Sequence, residues 1–584
     1  MMEGVVIPAT YDRFATIWVV DTEFVARDGD RPDPVCVVAQ ELRSGREERV
    51  WLGTSPAHPI RPIPCPYDLG DDALFVSFTA SAELGVHLAQ GWAMPCNVLD
   101  LYVEHLRITN GRDRPCGTSL LGVMASYGIG SMSAGVKDAC RDLIMVGGPW
   151  DAQDQIRILD YCAEDVVGTC DLFGRMVALD HIDLDRALVR GRYMAAVARM
   201  EWAGIPMDHA GLANILDHRD EVRDRLITQV DADYGVYTGH KFNVGAFQWY
   251  LMPEGIAWPR LPSGRLKLDD DTFKDRASAY PQLQPLYELR RSLSGLQTNR
   301  LQIGRDGRNR AALMPFAWKT GRNQPSNSRF IFGQSAWWRS FIRADVGCGL
   351  AYLDWDQQEF GIAAALSGDE AMKAAYQSGD PYLAFAKQAG AVPEDGTKDS
   401  HPSERDMFKA CVLAVQYGMG AEALGGRIDQ PAIAAQDLLL LHRRTYHQFW
   451  SWSDQMLETA LMRGWIETVF GWRCHLPVQP NDRSIRNFPM QANGAEMLRL
   501  ACINATEAGI EVCAPVHDAV LIHGPLGRLD ADIDQMKEIM TEASRVVLDG
   551  FAITAGVEQV CHHPDRFMDK RGAGLWSYLS QWAA

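Results

Sequence analysis

Two acids near the start of this chain sit on a β-branched run. "FATIWVVDTEF" (14–24) ends in Asp21 and Glu23, and residues two apart on a strand face the same way. Carboxylates that leave one face together repel unless a cation lies between them. Two later segments add to the pair. "PCNVLDLYVEHL" (95–106) carries Asp100 within an apolar, helix-like pattern. "ILDYCAEDVVGTCDLF" (158–173) has helical period, with Tyr161 and Asp165 four apart and therefore on one helix face. Asp21, Glu23, Asp100 and Asp165 are expected to converge on two divalent ions, Mg²⁺ or Mn²⁺, which favour oxygen donors. Two such ions about 3.5–4 Å apart serve phosphodiester hydrolysis, one activating water and the other stabilising the leaving oxygen. Tyr161 would orient the water.

A second set lies in the later part of the chain. "CGLAYLDWDQQEFGIAAALSGD" (348–369) predicts a strand over 350–355 and then a helix rich in Ala and Leu. Asp354 closes the strand, and Glu359 falls early in the helix, where the dipole favours an acid. "SERDMFKACVLAVQYGMG" (403–420) has helical period up to Gly418 and sets Arg405, Lys409, Leu413 and Tyr417 four apart. That row drifts by about 40° per step around a helix. One side then offers two cations, an apolar residue and an aromatic ring, a set that suits the phosphates, sugar and base of a nucleoside triphosphate. "EVCAPVHDAVLIHG" (511–524) predicts two short strands joined by a tight turn at His517 and Asp518. If the strands of Asp354 and Asp518 lie side by side, two aspartates can bridge two Mg²⁺ ions over a triphosphate. One ion would activate a 3′-hydroxyl and the other neutralise the β,γ-phosphates.

The elements that position these residues belong to a large chain. At 584 residues it should divide into roughly four domains, on a prior of about 150 residues each. The 47% apolar and 23% charged fractions are ordinary for a soluble globular protein. The net charge of −18, from 57 basic and 75 acidic residues, excludes a surface basic all over. A local basic cleft for nucleic acid remains compatible with it. The thirteen cysteines form no CxxC pair and no zinc spacing, so free thiols in a reducing, cytoplasmic setting are expected. "CHH" at 561–563 reads as surface or packing. "MMEGVVIPATYDRF" lacks the regions of a signal peptide. No run of about 18 uncharged apolar residues suggests a membrane span. "DEVRDRLITQVDADYGVY" and "PLYELRRSLSGLQTNRLQ" have helical period.

The order D-x-E, D, Y-x-x-x-D resembles the tyrosine-bearing branch of the DEDD 3′–5′ exonucleases. The later segments resemble motifs A, B and C of family A, DNA polymerase I-like, DNA polymerases. "DWDQQEF" is similar to motif A, "RDMFKACVLAVQYG" to the R-x3-K-x3-(F/Y)-x3-YG fingers helix, and "VHDA" to the V-H-D-E of motif C. "KTGR" (319–322), "ETVFGWRCHLP" (467–477), "RSIRNFPMQANGAE" (483–496) and "ARMEWAGIPMD" (198–208) also resemble segments of that family. Leu413 stands where Phe or Tyr is usual, and Ala519 where Glu is usual.

The resemblance implies an α/β and α+β multidomain protein. Residues 1–185 would form a ribonuclease H-like exonuclease domain with a mixed sheet. Residues 186–584 would form a right-hand polymerase domain: palm about 195–208, 305–365 and 450–584, thumb about 209–304, fingers about 366–449. Asp354 and Asp518 are implied as metal ligands, and Glu359 as the gate against a ribose 2′-hydroxyl. Arg405, Lys409, Leu413, Tyr417 and His517 are implied at the incoming nucleotide, with Lys409 also able to protonate the leaving group. Arg322, Arg483, Asn487 and Gln491 would contact DNA, where amide side chains suit minor-groove acceptors. The expectation is a monomeric, phage-type replicative polymerase with proofreading, lacking a 5′-nuclease domain and using two Mg²⁺ or Mn²⁺ ions per site. Its partners would be primer-template DNA and dNTPs, with no membrane. The main alternative is a 3′–5′ exonuclease carrying a degenerate polymerase-like body, which Ala519 alone favours. Glu359 and the exonuclease motifs argue against a single-subunit RNA polymerase.

Overall fold

A computed structural model describes residues 7–53, 63–130, 134–297, 300–416, 418–428 and 430–582. Its first layer is a five-stranded sheet of β1 (Thr16–Val25), β2 (Asp33–Glu41), β3 (Glu47–Trp51), β4 (Ala73–Ser77) and β5 (Asn97–Asp100), in the order β3-β2-β1-β4-β5. The β1–β2 and β2–β3 pairs are antiparallel, and β1–β4 and β4–β5 are parallel. Parallel neighbours need a crossover, and helix α1 (Ala80–Gln90) supplies it between β4 and β5. The β-branched run that ends β1's apolar half, Ile17 to Val20, is buried on both faces, as expected for a central strand.

Two local expectations need correction. Asp21 and Glu23 are not at a strand end. β1 runs on to Val25, because β2 keeps pairing beside it, Asp21 with Val38 and Glu23 with Cys36, and the register slips only after Glu23. Asp100 is not inside a helix. It ends β5 and caps helix α2 (Leu101–Thr109), accepting from the Val103 N–H at 3.1 Å. A carboxylate is favoured at that position because it satisfies an N–H left open by the first turn.

Helix α3 (Ala134–Met145) leads to the long helix α4 (Ala152–Ala178). Ile158, Cys162, Val166, Cys170 and Phe173 of α4 are buried in the same core as Val19, Val38 and Val76 of the sheet. Helix α5 (Leu184–Ala203) then crosses β5. A Cβ on Gly191 would lie 1.8 Å from the Val98 carbonyl oxygen, so only glycine lets the helix come this close. Arg190 of α5 and Glu104 of α2 form a buried two-pronged ion pair at 2.6 and 2.9 Å. Tyr193, Met194 and Val197 of α5 share one core with Val98 of the first sheet and with Leu353 of the second.

The second sheet is formed by β6 (Cys348–Trp355), β7 (Glu511–Val516), β8 (Ala519–Pro525) and β9 (Ala555–His562), antiparallel in the order β7-β8-β6-β9. Strands distant in sequence thus become neighbours. Helices α9 (Asp482–Glu507) and α10 (Leu526–Val547) pack against it, and α6 (Gln358–Ser367), α7 (Pro381–Gln388) and α8 (Pro402–Gln416) follow β6 in the chain. Trp355 at the end of β6 is tied to α10 by its indole N–H, which donates to the Met540 carbonyl at 3.1 Å. Between the sheets in sequence, the helices His209–Asp217, Arg219–Val230, Val244–Leu251, Asp270–Ala279 and Gln284–Gln297 build on a separate core that includes Phe247, Phe273, Leu286 and Leu289. Among the described residues no helix is long and apolar enough to cross a membrane.

Candidate active sites

In the second sheet, Asp354 lies one residue from the end of β6 and pairs directly with Ala519, the first residue of β8. Asp518 precedes Ala519 in the two-residue turn, where His517 takes φ 60°. A non-glycine residue in that left-handed region marks a constrained turn. Strand adjacency therefore brings the two aspartates together. Burial raises the Asp354 carboxyl to about 7, and the charge of Asp518 adds to the effect. Its Oδ1 is buried without a hydrogen-bond partner. A desolvated carboxylate oxygen with no donor, next to a second acid, is the environment a divalent cation fits.

Glu359 sits in the first turn of α6, with its Oε1 4.0 Å from Arg322 Nη2. Burial pushes its carboxyl up, Arg322 opposes this, and the charge of Asp518 reinforces it. Arg322, Glu359, Asp354 and Asp518 thus act on one another electrostatically. On α8, Arg405 is already engaged: its Nε donates to Asp380 Oδ2 at 2.5 Å. The Tyr382 ring lies 5.6 Å from the Arg405 guanidinium and 5.6 Å from Lys409 Nζ. Asp380 and Tyr382 open α7 and were not found by sequence reasoning. The Asp-Pro pair at 380–381 announces a helix start, but nothing local announces its partner on α8. Leu413 is half-buried on α8, and Tyr417 lies outside the described residues.

Arg483, Asn487 and Gln491 follow one another at one-turn spacing along α9. A Cβ on Gly418 would lie 2.3 Å from Arg483 Cγ, and Gly418 itself has φ +60°. The chain just after α8 therefore passes against the start of α9.

In the first sheet, Asp21, Glu23 and Cys162 each offer a ligand atom, all within 4.8 Å of one another. The Cys162 Sγ donates to the Asp21 carbonyl and to its Oδ2, both at 3.3 Å. Burial, then the charge of Asp165, raises the Asp21 carboxyl to about 8. Burial, then Asp21, pushes Glu23 well above the ordinary range. Asp165 is raised by burial but held back by an ion pair with Lys137 of α3 and a hydrogen bond from Tyr161. Asp21, Glu23, Tyr161 and Asp165 are thus together. Asp100 stands outside the three-ligand group. Its oxygens accept from the N–H groups of Ala80 at 2.7 Å, Val103 at 3.1 Å and Thr79 at 3.3 Å. These three donors hold it as the cap of α2, and burial still raises its carboxyl to about 6. Glu83, buried on α1 and hydrogen-bonded by the Thr22 hydroxyl, is an acid that sequence reasoning missed. Its charge acts on both Asp21 and Glu23.

Comparison with known proteins bears on the second site. Residues 332–558 match the family model of DNA polymerase family A. Through that span the chain is similar to DNA polymerase family A. The matched span holds Asp354, Glu359, Arg405, Lys409, Asn487 and Asp518. The chain is 26% identical over 381 residues to the thermostable DNA polymerase I of Thermus aquaticus, covering 59% of this chain and 44% of that protein. It is 23% identical over 377 residues to the DNA polymerase I of Chloroflexus aurantiacus, covering 59% and 40%. The chain thus spans less than half the length of these curated relatives. Among solved structures, the POL domain of Pol1 from M. smegmatis, in complex with DNA primer-template and dNTP, matches with a TM-score of 0.65 and 18% identity. The match covers 92% of this chain and 94% of that one. The fold therefore follows that polymerase domain across nearly the whole chain.

Proposed function

We propose that this chain is a template-directed DNA polymerase with a 3′–5′ proofreading exonuclease in its N-terminal third, acting in phage-type DNA replication. The observation that carries the polymerase reading is the pairing of β6 with β8, with a donorless Asp354 oxygen beside Asp518, inside the family A span. The similar mycobacterial domain is described with DNA primer-template and dNTP bound, and those are the proposed partners here.

In this reading, Asp354 and Asp518 hold divalent ions, Mg²⁺ or Mn²⁺. When bound, such ions supply activation of the primer 3′-hydroxyl and neutralisation of phosphate charge. Arg405 and Lys409 bind the triphosphate, and Lys409 can give a proton to the departing pyrophosphate. Glu359 occupies the space a ribose 2′-hydroxyl would need. Leu413, Tyr417 and His517 line the nucleotide, and Arg322, Arg483, Asn487 and Gln491 hold the primer-template. In the same reading, palm, thumb and fingers would have the ranges given above for the resemblance.

The exonuclease reading rests on Asp21, Glu23 and Asp165 meeting beside Tyr161, with the strand order β3-β2-β1-β4-β5 of a mixed sheet as support for a ribonuclease H-like unit. Those acids would hold divalent ions, and Tyr161 would orient the attacking water. Asp100 would join them as an acid that also accepts from three backbone N–H groups.

Primer extension and strand degradation by two variants test both halves. Asp518→Ala should abolish synthesis and spare degradation, and Asp21→Ala should do the reverse. Synthesis that survives Asp518→Ala overturns the polymerase reading. Ala519 favours the second reading, a nuclease with a degenerate polymerase body; wild-type chain that degrades but never extends a primer would establish it.

A further inference from the structure

We propose that Lys137 is a placeholder cation for the N-terminal carboxylate site, holding Asp165 until a divalent ion displaces it. The inference rests on reading that site as a metal-dependent nuclease. The Lys137 ammonium pairs with Asp165 Oδ1, and the two side chains are only 15% and 13% exposed. Its Nζ also lies 5.7 Å from the centre of the Tyr161 ring, one turn before Asp165 on α4. One side chain on α3 therefore touches both the acid and the phenol that the sequence singles out. Its charge also favours ionisation of Asp21.

The surroundings separate this pair from an ordinary surface tie. Exposed ion pairs join groups that water would otherwise satisfy, and most contribute little. Here Asp165 belongs to a cluster of acids that repel one another and are poorly solvated. Such a cluster must take up protons or gain a cation. A lysine ammonium is a compact point charge on a flexible stem, suited to enter and leave. A divalent ion brings twice the charge to the same oxygens, so ammonium and ion compete for Asp165. Lys137 then keeps the empty cluster folded and sets the ion concentration at which it fills.

The test measures Mn²⁺ binding to the full chain by electron paramagnetic resonance, at mildly alkaline pH so that protons do not mask the competition. Lys137→Met and Lys137→Arg are compared with Lys137, all in an Asp518→Asn background that weakens the palm site. Lys137→Met should bind Mn²⁺ roughly tenfold more tightly, the scale of losing one charge-assisted hydrogen bond. Lys137→Arg, which keeps the pair, should stay near the parent. In a chelator, Lys137→Met should unfold at lower temperature than Lys137→Arg, and Mn²⁺ should close the gap. Unchanged or weaker Mn²⁺ affinity in Lys137→Met overturns the proposal and leaves a structural tie. Failure of the nuclease reading looks different: Mn²⁺ affinity would still shift, while Asp21→Ala left strand degradation intact.

Discussion

Asp354 faces Ala519 across the β6–β8 pair. Directly paired residues of antiparallel strands point to the same side, with Cβ atoms about 4.5–5.5 Å apart. The acid that family A usually carries at this position would therefore stand beside Asp354. Ala519→Glu should leave synthesis equal or higher when Mg²⁺ is present. In a chelator it should lower the unfolding temperature, because a third carboxylate joins two that are uncompensated. Primer extension and thermal unfolding with and without Mg²⁺ check this. A large loss of synthesis would mean the turn requires a small residue.

The pH dependence of stability carries the same signature. Asp354 and Asp21 are raised from 3.8 to about 7 and about 8. Raised carboxyls favour the folded state while protonated, below their unfolded value, and that contribution is lost as pH climbs through the folded value. The chelated protein should therefore lose stability between about pH 4 and 8. Mg²⁺ should restore much of it at the upper end. Denaturant unfolding across pH should show a flatter curve for Asp354→Asn and for Asp21→Asn; an unaltered slope would contradict the raised values.

Glu359 is held near Arg322 at 4.0 Å, and in the proposed function it faces the sugar of the incoming nucleotide. Glu359→Ala should admit ribonucleotides at least about tenfold more readily, a change of about 1.4 kcal/mol in discrimination. Single-nucleotide incorporation with paired dNTP and rNTP series measures it. Unchanged sugar selectivity removes Glu359 as the gate.

Asp380 both caps α7, accepting from the Leu383 N–H at 3.1 Å, and binds Arg405. Asp380→Asn keeps the cap and removes the charge. With Arg405 released toward the triphosphate, the KM for dNTP should fall about threefold, within the range of a partly exposed ion pair. A rise in KM would show that Asp380 aims Arg405 instead of competing for it.

The buried Arg190–Glu104 pair joins α5 to α2 at 2.6 and 2.9 Å. Glu104→Gln should cost about 3–5 kcal/mol by leaving a buried guanidinium uncompensated. Replacing both residues with Met should recover part of that loss. Calorimetry on the single and double variants decides it.

The site was legible in the sequence where chemistry and local period coincide. The apolar run before Asp354, the four-residue spacing along α8 and the turn at His517 and Asp518 each announce their element. Asp100 was misread because apolar spacing cannot tell a strand that leads into a helix from the helix itself. Lys137, Glu83 and Asp380 were invisible for a different reason: each earns its role from a partner on another element. The capping role of Asp100 likewise follows from where α2 begins, not from the motif.

Gly191 seats α5 directly on β5, and the residues around it belong to one core that reaches both sheets. Among the described residues, one continuous core thus links the layers that carry the two carboxylate sites. In the proposed function a strand end must be unpaired to reach the first site, so the rate of exchange between the two should follow how easily the nucleic acid melts.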